Sequence, residues 1–341
     1  MRETMIPHDG KRPVTAPPSP QGTTVRGDAR RMATRAAPGG GPTAWQGWLP
    51  WLDRQGRFSG LRAAAFALTL LPAALVLYAA WMGELGSKPW TEAIHRTGTW
   101  AVRLLILSLA ISPLRRLLDW GKLIGVRRML GLSVMAYALG HLGLYCIDMA
   151  FDWGLIVSEI VKRFYLTIGF VALLGLCALG ATSTDGMIRR LGKNWQRLHN
   201  LVSPITALAF LHFALQSKID VTEAVLMSGL FVLLLFYRGL YRWKRPASLP
   251  VLAGLALFAG LATALLETGW YALTSGVLPW LVFQANADIL TYWDYASIRP
   301  AHWVALAGLA VAAGHAWRRR KPGERRLPRQ PARDQAPQPS S

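Results

Sequence analysis

RRMLGLSVMAYALGHLGLYCIDM, residues 127–149, opens on two arginines, runs for nineteen residues with no acid, lysine or arginine, and carries one histidine past its middle. A bilayer core about 30 Å thick is crossed by roughly 20 helical residues rising about 1.5 Å each. The stretch therefore predicts a membrane-spanning helix entered from a basic side. Working outward, seven further segments have the same character: 63–82, 98–114, 164–181, 200–216, 223–240, 249–267 and 301–317. A ninth, 271–283 (YALTSGVLPWLVF), is short and interrupted by Gly276 and Pro279, and reads as an interfacial or re-entrant piece.

Composition agrees. The 341 residues are 52% apolar and 16% charged, below the roughly 25% charge of soluble domains. Residues 1–62 carry ten bases against four acids and residues 318–341 eight against two, so the tails supply +12 of the formal +20. The loops alternate. Basic runs occupy 115–128 (RRLLDWGKLIGVRR), 182–199 (TSTDGMIRRLGKNWQRLH) and 238–248, whereas acids balance or outnumber bases in 83–97, 150–163, 217–222 and 268–300. The positive-inside rule then predicts eight spans with both termini cytoplasmic. Both tails lack apolar periodicity and are expected to be disordered. The two cysteines, Cys146 and Cys177, sit in apolar runs and exclude a disulfide scaffold. No basic face interleaved with aromatics suggests nucleic acid. No internal repeat stands out.

An ionisable group at membrane depth is a functional hypothesis by default. From the helical rise, His141, His212 and Arg103 fall roughly 3, 6 and 4–5 Å to the periplasmic side of the middle of their spans. Two imidazoles and a guanidinium from three helices thus share one layer. A b-type haem with two axial histidines uses this set, with the arginine compensating a propionate. Zinc recruits three or four ligands, and no further His, Cys or carboxylate stands clearly in the layer. Gly140 and Gly143 flank His141, where small residues would admit a flat macrocycle or serve helix packing.

The other histidines are read differently. His199 lies four residues after Trp195, on the same helix face at the cytoplasmic boundary, so an interfacial and a cofactor role are both open. Thirteen residues, about 20 Å of helix, separate it from His212, whereas two ligands of one iron sit about 4 Å apart. His199 is therefore expected on the electron-input side, where Arg189, Arg190, Lys193 and Arg197 would hold a flavin phosphate or quinone head group. His95 reads as a loop residue, and His302 and His315 as interfacial residues at the ends of the last span.

The runs RTGTWAVRLLILSLAISPLRRLL (96–118), RRMLGL (127–132), YALGHLGLY (137–145), RFYLTIGF (163–170) and TSTDGMIRRLGKNWQRLHNLV (182–202) resemble the MsrQ, or YedZ, family, within the ferric-reductase-like transmembrane superfamily. The resemblance covers about 63–245. It implies an all-α polytopic membrane protein of the bacterial inner membrane: a six-helix ferric-reductase-like haem-binding bundle at 63–245, with two extra transmembrane helices in 246–317. It further implies an electron-transfer subunit of an oxidoreductase system, with no catalytic residues of its own, that carries one or two b haems. Electrons would come from quinol or a cytoplasmic flavin reductase and pass to a periplasmic molybdopterin methionine-sulfoxide reductase, MsrP-like, that repairs oxidised proteins. FMN is associated with the family, and quinone is a further cofactor expectation. By motif His141, His199 and His212 match the family's haem-related, metal-binding histidines, and His95 a histidine before the second span. The superfamily often places two histidines on each of two helices; here Arg127 and Arg128 occupy the cytoplasmic end of the 129–149 helix.

Two other functions compete. One is a self-sufficient transmembrane ferric or quinone reductase. The other is a proton-linked transporter relaying through His141, Arg103 and His212. Transport more often uses intramembrane acids and paired broken helices, and the first six spans are read as offering only Asp148, at a helix end.

Overall fold

The structure is a computed structural model, which describes residues 49–53, 55–218, 220–287 and 298–320. Most of both expected tails, residues 1–48 and 321–341, lies outside the described residues. Residues 49–53 and 55–59, read from sequence as part of the first tail, instead contain turns and an isolated bridge. The Asp53 carboxylate accepts the backbone N–H groups of Gln55 and Arg57 at 2.8 and 2.9 Å, and those bonds, with Arg57 first, hold its pKa below the ordinary carboxylate value. Leu52 and Phe58 pair as an isolated bridge, and the Trp51 ring rests 6.0 Å from Phe66. Such local bonds leave no trace in hydropathy.

The described elements are α1 (Gly60–Trp81), α2 (Pro89–Leu117), a 3-10 turn (Gly121–Leu123), α3 (Ile124–Asp148), α4 (Trp153–Lys162), α5 (Phe164–Ala181), α6 (Asp185–Leu191), α7 (Lys193–Asn200), α8 (Val202–Gln216), α9 (Thr222–Arg242), α10 (Leu249–Thr274), α11 (Pro279–Ala287) and α12 (Pro300–Arg320). The chain is an all-α polytopic membrane protein. Among the described residues, seven helices are long and apolar enough to cross a bilayer: α1, α2, α3 with its 3-10 turn, α5, α7 continuing into α8, α9 and α10. The eighth expected span is α12. Its 21 residues make about 31 Å, long enough to cross, but His302 and His315 dilute its apolar character. Residues 271–274 belong to α10; the chain breaks near Gly276, at φ 66°, and resumes as α11.

Helix α2 starts nine residues ahead of the expected span. Pro89 supplies the first turn, Glu92 complements the positive helix start, and Arg115 and Arg116 the negative end. His95 consequently lies on a helix, on its exposed side, and not in a loop. Helix α4, capped by Asp152 through the Leu155 N–H at 3.0 Å, is ten residues long and too short to cross.

Lipid offers no hydrophobic drive between helices, so close approach of small residues decides their packing. A Cβ on Gly229 of α9 would lie 2.2 Å from the Thr263 hydroxyl of α10, and one on Gly308 of α12 would lie 2.5 Å from the Ala256 methyl of α10. These contacts seat α9, α10 and α12 together. The buried core runs through Leu104, Leu105 and Leu109 of α2, Leu130 and Val134 of α3, Phe210 of α8 and Phe231, Leu234 and Tyr237 of α9. Against α1, Tyr137 of α3 inserts its hydroxyl into the helix ladder beside Pro72: it donates to Thr69 O and accepts from Ala73 N, both at 2.8 Å. That insertion, one turn before His141, fixes the rotation of α3.

Candidate functional site

His141 of α3 and His212 of α8 face each other with ring centroids 6.3 Å apart and planes crossed at 81°. The sequence reading placed them in one layer; the structure makes them neighbours. Each is tied in the same way to the helix beside it. His141 Nδ1 lies 2.8 Å from Ile94 O of α2, and His212 Nδ1 lies 2.8 Å from Tyr165 O of α5. A carbonyl only accepts, so each Nδ1 carries the proton and donates it. Each Nε2 keeps a lone pair directed away from its tie, and a carbonyl that fixes the tautomer in this way is the usual partner of a metal-binding histidine.

The distance tests whether the pair suits a haem. Metal–imidazole bonds of about 2.0 Å, with about 1.1 Å from nitrogen to ring centre, put two imidazoles on one metal about 6.2 Å apart. The observed centroid separation of 6.3 Å matches that value. Among the described residues no group of three or more His, Cys, Asp or Glu is gathered tightly enough to hold a metal ion. Two imidazoles set in this way could serve as axial donors to a metal whose other ligands come from a macrocycle.

Two glycines absent from the sequence reading make these positions available. A Cβ on Gly98 of α2 would stand 3.0 Å from His141 Nδ1 and Cε1, and one on Gly169 of α5 would stand 2.7 Å from His212 Nδ1. The histidine follows its carbonyl partner by 47 residues in both pairs; Gly98 and Gly169 each lie four residues after that partner. The signal was present in the sequence as two Gly–His pairs at one spacing, although no repeat had been recognised. At Gly140 and Gly143, by contrast, a Cβ would meet nothing within 4 Å, so contacts between helices do not account for them.

Arg103 is held by a partner the sequence reading had not considered. Its Nε lies 2.5 Å from Glu223 Oε1, in the first turn of α9, and its guanidinium sits 4.7 Å over the Trp100 ring. Glu223 is also an acid at a span boundary that the count of Asp148 alone had missed.

His199 stands apart from the imidazole pair. It belongs to α7, which a break at Leu201 separates from α8. It stacks on Trp195 at 4.0 Å and 28°, with Nε2 3.3 Å from the Thr182 hydroxyl, while Trp195 Nε1 donates to Thr182 O at 2.9 Å. Both rings line a cavity of about 1410 Å³ at the end of the bundle bearing the basic loops. The bases on its wall are Arg62, Lys122, Arg127 and Arg128, rather than Arg189, Arg190, Lys193 and Arg197. Arg128 pairs with Asp185 and Arg62 donates to Leu52 O; Arg127 makes no ion pair among the described residues.

The last helices hold their own polar groups. Glu267, 1% exposed, lies 3.1 Å from Arg299 Nη2 and accepts from Asn286 Nδ2 at 2.9 Å. His302 Nε2 donates to Asn286 O at 2.8 Å, and its Nδ1 accepts from Arg299 N at 3.0 Å. His315 is buried, not interfacial. Its ring nitrogens reach Leu117 O at 2.6 Å and Ala247 O at 2.8 Å. It ties α12 to the end of α2, a contact across 198 residues that a position at a helix end does not reveal.

Comparison with known proteins adds a family. The model described as "Ferric reductase like transmembrane component" matches residues 97–210, which include Gly98, His141, Gly169 and His199. The chain is 46% identical over 191 residues to the protein-methionine-sulfoxide reductase heme-binding subunit MsrQ of Xanthomonas campestris pv. campestris (strain B100), covering 54% of this chain and 86% of that protein. It is 45% identical over 186 residues to the subunit of the same name from Xanthomonas axonopodis pv. citri (strain 306), covering 52% and 84%. The Rhodospirillum rubrum (strain ATCC 11170) subunit is 43% identical over 190 residues, covering 54% and 88%. No solved structure matches.

Proposed function

Because the chain belongs to the MsrQ family, we propose that it is a membrane b-type cytochrome serving a methionine-sulfoxide reductase. It passes electrons across the bacterial inner membrane, from quinol or a cytoplasmic flavin reductase to a periplasmic MsrP-like molybdopterin enzyme. The observation that carries this reading is the pair His141 and His212, with ring centroids 6.3 Å apart, each with Nδ1 tied to a carbonyl and Nε2 without a hydrogen-bond partner among the described residues. Residues 63–245 form the haem domain and 246–317 an added two-span region.

In this reading His141 and His212 hold the iron of one b haem. Bound there, haem supplies a one-electron carrier inside the membrane. The chain's own residues do the rest. Ile94 O and Tyr165 O fix the tautomers, and Gly140 and Gly143 leave open space beside His141 for the macrocycle. Arg103 places a positive charge about 7.5 Å along α2 from Gly98, where it offsets a propionate while bonded to Glu223. The cavity beneath His199 and Trp195 is the electron-input site. Its size suits FMN or a quinone head group, and Arg127 offers an unpaired charge to an anionic donor. The basic loops at that end, and Arg318–Arg320 closing α12, support a cytoplasmic location for both termini.

The test is the reduced-minus-oxidised spectrum of the purified membrane protein. A b-type low-spin spectrum is expected, lost in His141→Ala and in His212→Ala. Its retention in His141→Ala would overturn the assignment.

A further inference from the structure

We infer that Gly98 and Gly169 are positioning residues that hold the two axial imidazole planes near a right angle, so that the crossing is built into the helices before any cofactor binds. The inference rests on the two-histidine haem reading above and says what that site does to its iron.

A helical carbonyl already accepts from the N–H four residues on, and the side chain at that fourth residue overhangs the oxygen. A slender hydroxyl can still reach such an oxygen, but the broad imidazole ring that does so here would be crowded by a Cβ at that fourth residue, at 3.0 Å in one seat and 2.7 Å in the other. Ile94 O is open to the ring because Gly98 follows by four, and Tyr165 O because Gly169 does. Each imidazole is therefore held at three points: by its stem on α3 or α8, by its Nδ1–H on the carbonyl, and by its ring against bare backbone. Rotation about the Nε2 axis would break the hydrogen bond or drive the ring into the helix. The two seats belong to different helix pairs, α2 with α3 and α5 with α8. The 81° between the rings is thus the angle between the seats.

The angle has an electronic consequence. Each imidazole donates its π electrons to the iron d orbital perpendicular to its own plane. Parallel planes raise the same orbital and split the pair, giving a rhombic ferric spectrum of three lines. Crossed planes raise both orbitals alike and leave them nearly degenerate, which gives one strongly anisotropic line at low field.

The experiment is low-temperature electron paramagnetic resonance of the full-length ferric protein, with haem content measured on the same samples. The wild type is expected to show a single low-field line that His212→Ala removes. Gly169→Ala, with its Cβ 2.7 Å from the ring, is expected to shift that line toward the three-line form more than Gly98→Ala, at 3.0 Å. Gly254→Ala, where a Cβ meets nothing within 4 Å, is expected to leave it in place. A merely structural glycine would change yield or haem content without moving the line. A three-line wild-type spectrum at full haem content overturns the crossed seating while leaving the haem reading intact, and needs no variant to fold. An unmoved line in Gly169→Ala at full haem content also overturns it. Wild type without haem, or His141→Ala with an unchanged spectrum, overturns the haem reading itself.

Discussion

Arg103 on α2 and Glu223 in the first turn of α9 are 120 residues apart in sequence and 2.5 Å apart in space. The pair joins α2 to the start of α9, and neither side chain is fully enclosed by the protein. Arg103 has a second use in the proposed function, and the two uses separate. Arg103→Leu is expected to lower the haem-to-protein ratio or shift the haem midpoint potential, because a propionate loses its counter-charge. Glu223→Gln is expected to leave both near wild type. Unchanged haem content and potential in Arg103→Leu would leave Arg103 with Glu223 as its sole partner.

His199 and His212 share one candidate span but are expected to differ in role. His199→Ala in purified protein should keep full haem content and slow reduction by added donor, whereas His212→Ala should lose haem. Equal haem loss in both variants would make His199 a ligand of a second haem.

Tyr137 bridges two backbone groups of α1 at membrane depth. Tyr137→Phe removes the acceptor for Ala73 N–H and the donor to Thr69 O, a loss of about 1–3 kcal/mol. Thermal unfolding in detergent should fall accordingly, with a midpoint several degrees lower. An unchanged midpoint would show that α1 closes its own ladder without the hydroxyl.

Glu267 and Arg299 test the independence of the last helices. Glu267→Ala strands a partly buried guanidinium, and breaking a buried pair in this way costs about 3–5 kcal/mol; Arg299, 33% exposed, places the expected loss at the lower end. The variant should be less thermostable and more readily cleaved by protease within 268–300, yet keep the haem spectrum, since both proposed ligands, His141 and His212, lie on α3 and α8. Loss of that spectrum would show that the added helices support the haem domain directly.

Much of this was legible in the chain itself. A span is a local property: about twenty consecutive residues either transfer favourably into hydrocarbon or do not, so 63–82, 129–149 and 249–267 are recognisable without any neighbour. The alternation of basic and acidic loops is equally local. His141 and His212 stand out because an ionisable residue in such a run is costly wherever it points, and Trp195 and His199 share a face because four residues make one helical turn. What hydropathy leaves open is the rotation of each helix and the gap between two backbones. Those depend on groups far apart in sequence meeting at one place. Only the tertiary structure put Gly98 under His141 and Gly169 under His212, inserted Tyr137 into α1, paired Arg103 with Glu223, and buried His315 between two carbonyls. In lipid every helix is apolar, so apolarity cannot choose among faces; close contact, hydrogen bonds and charge pairs do, and these exist only once the helices have met.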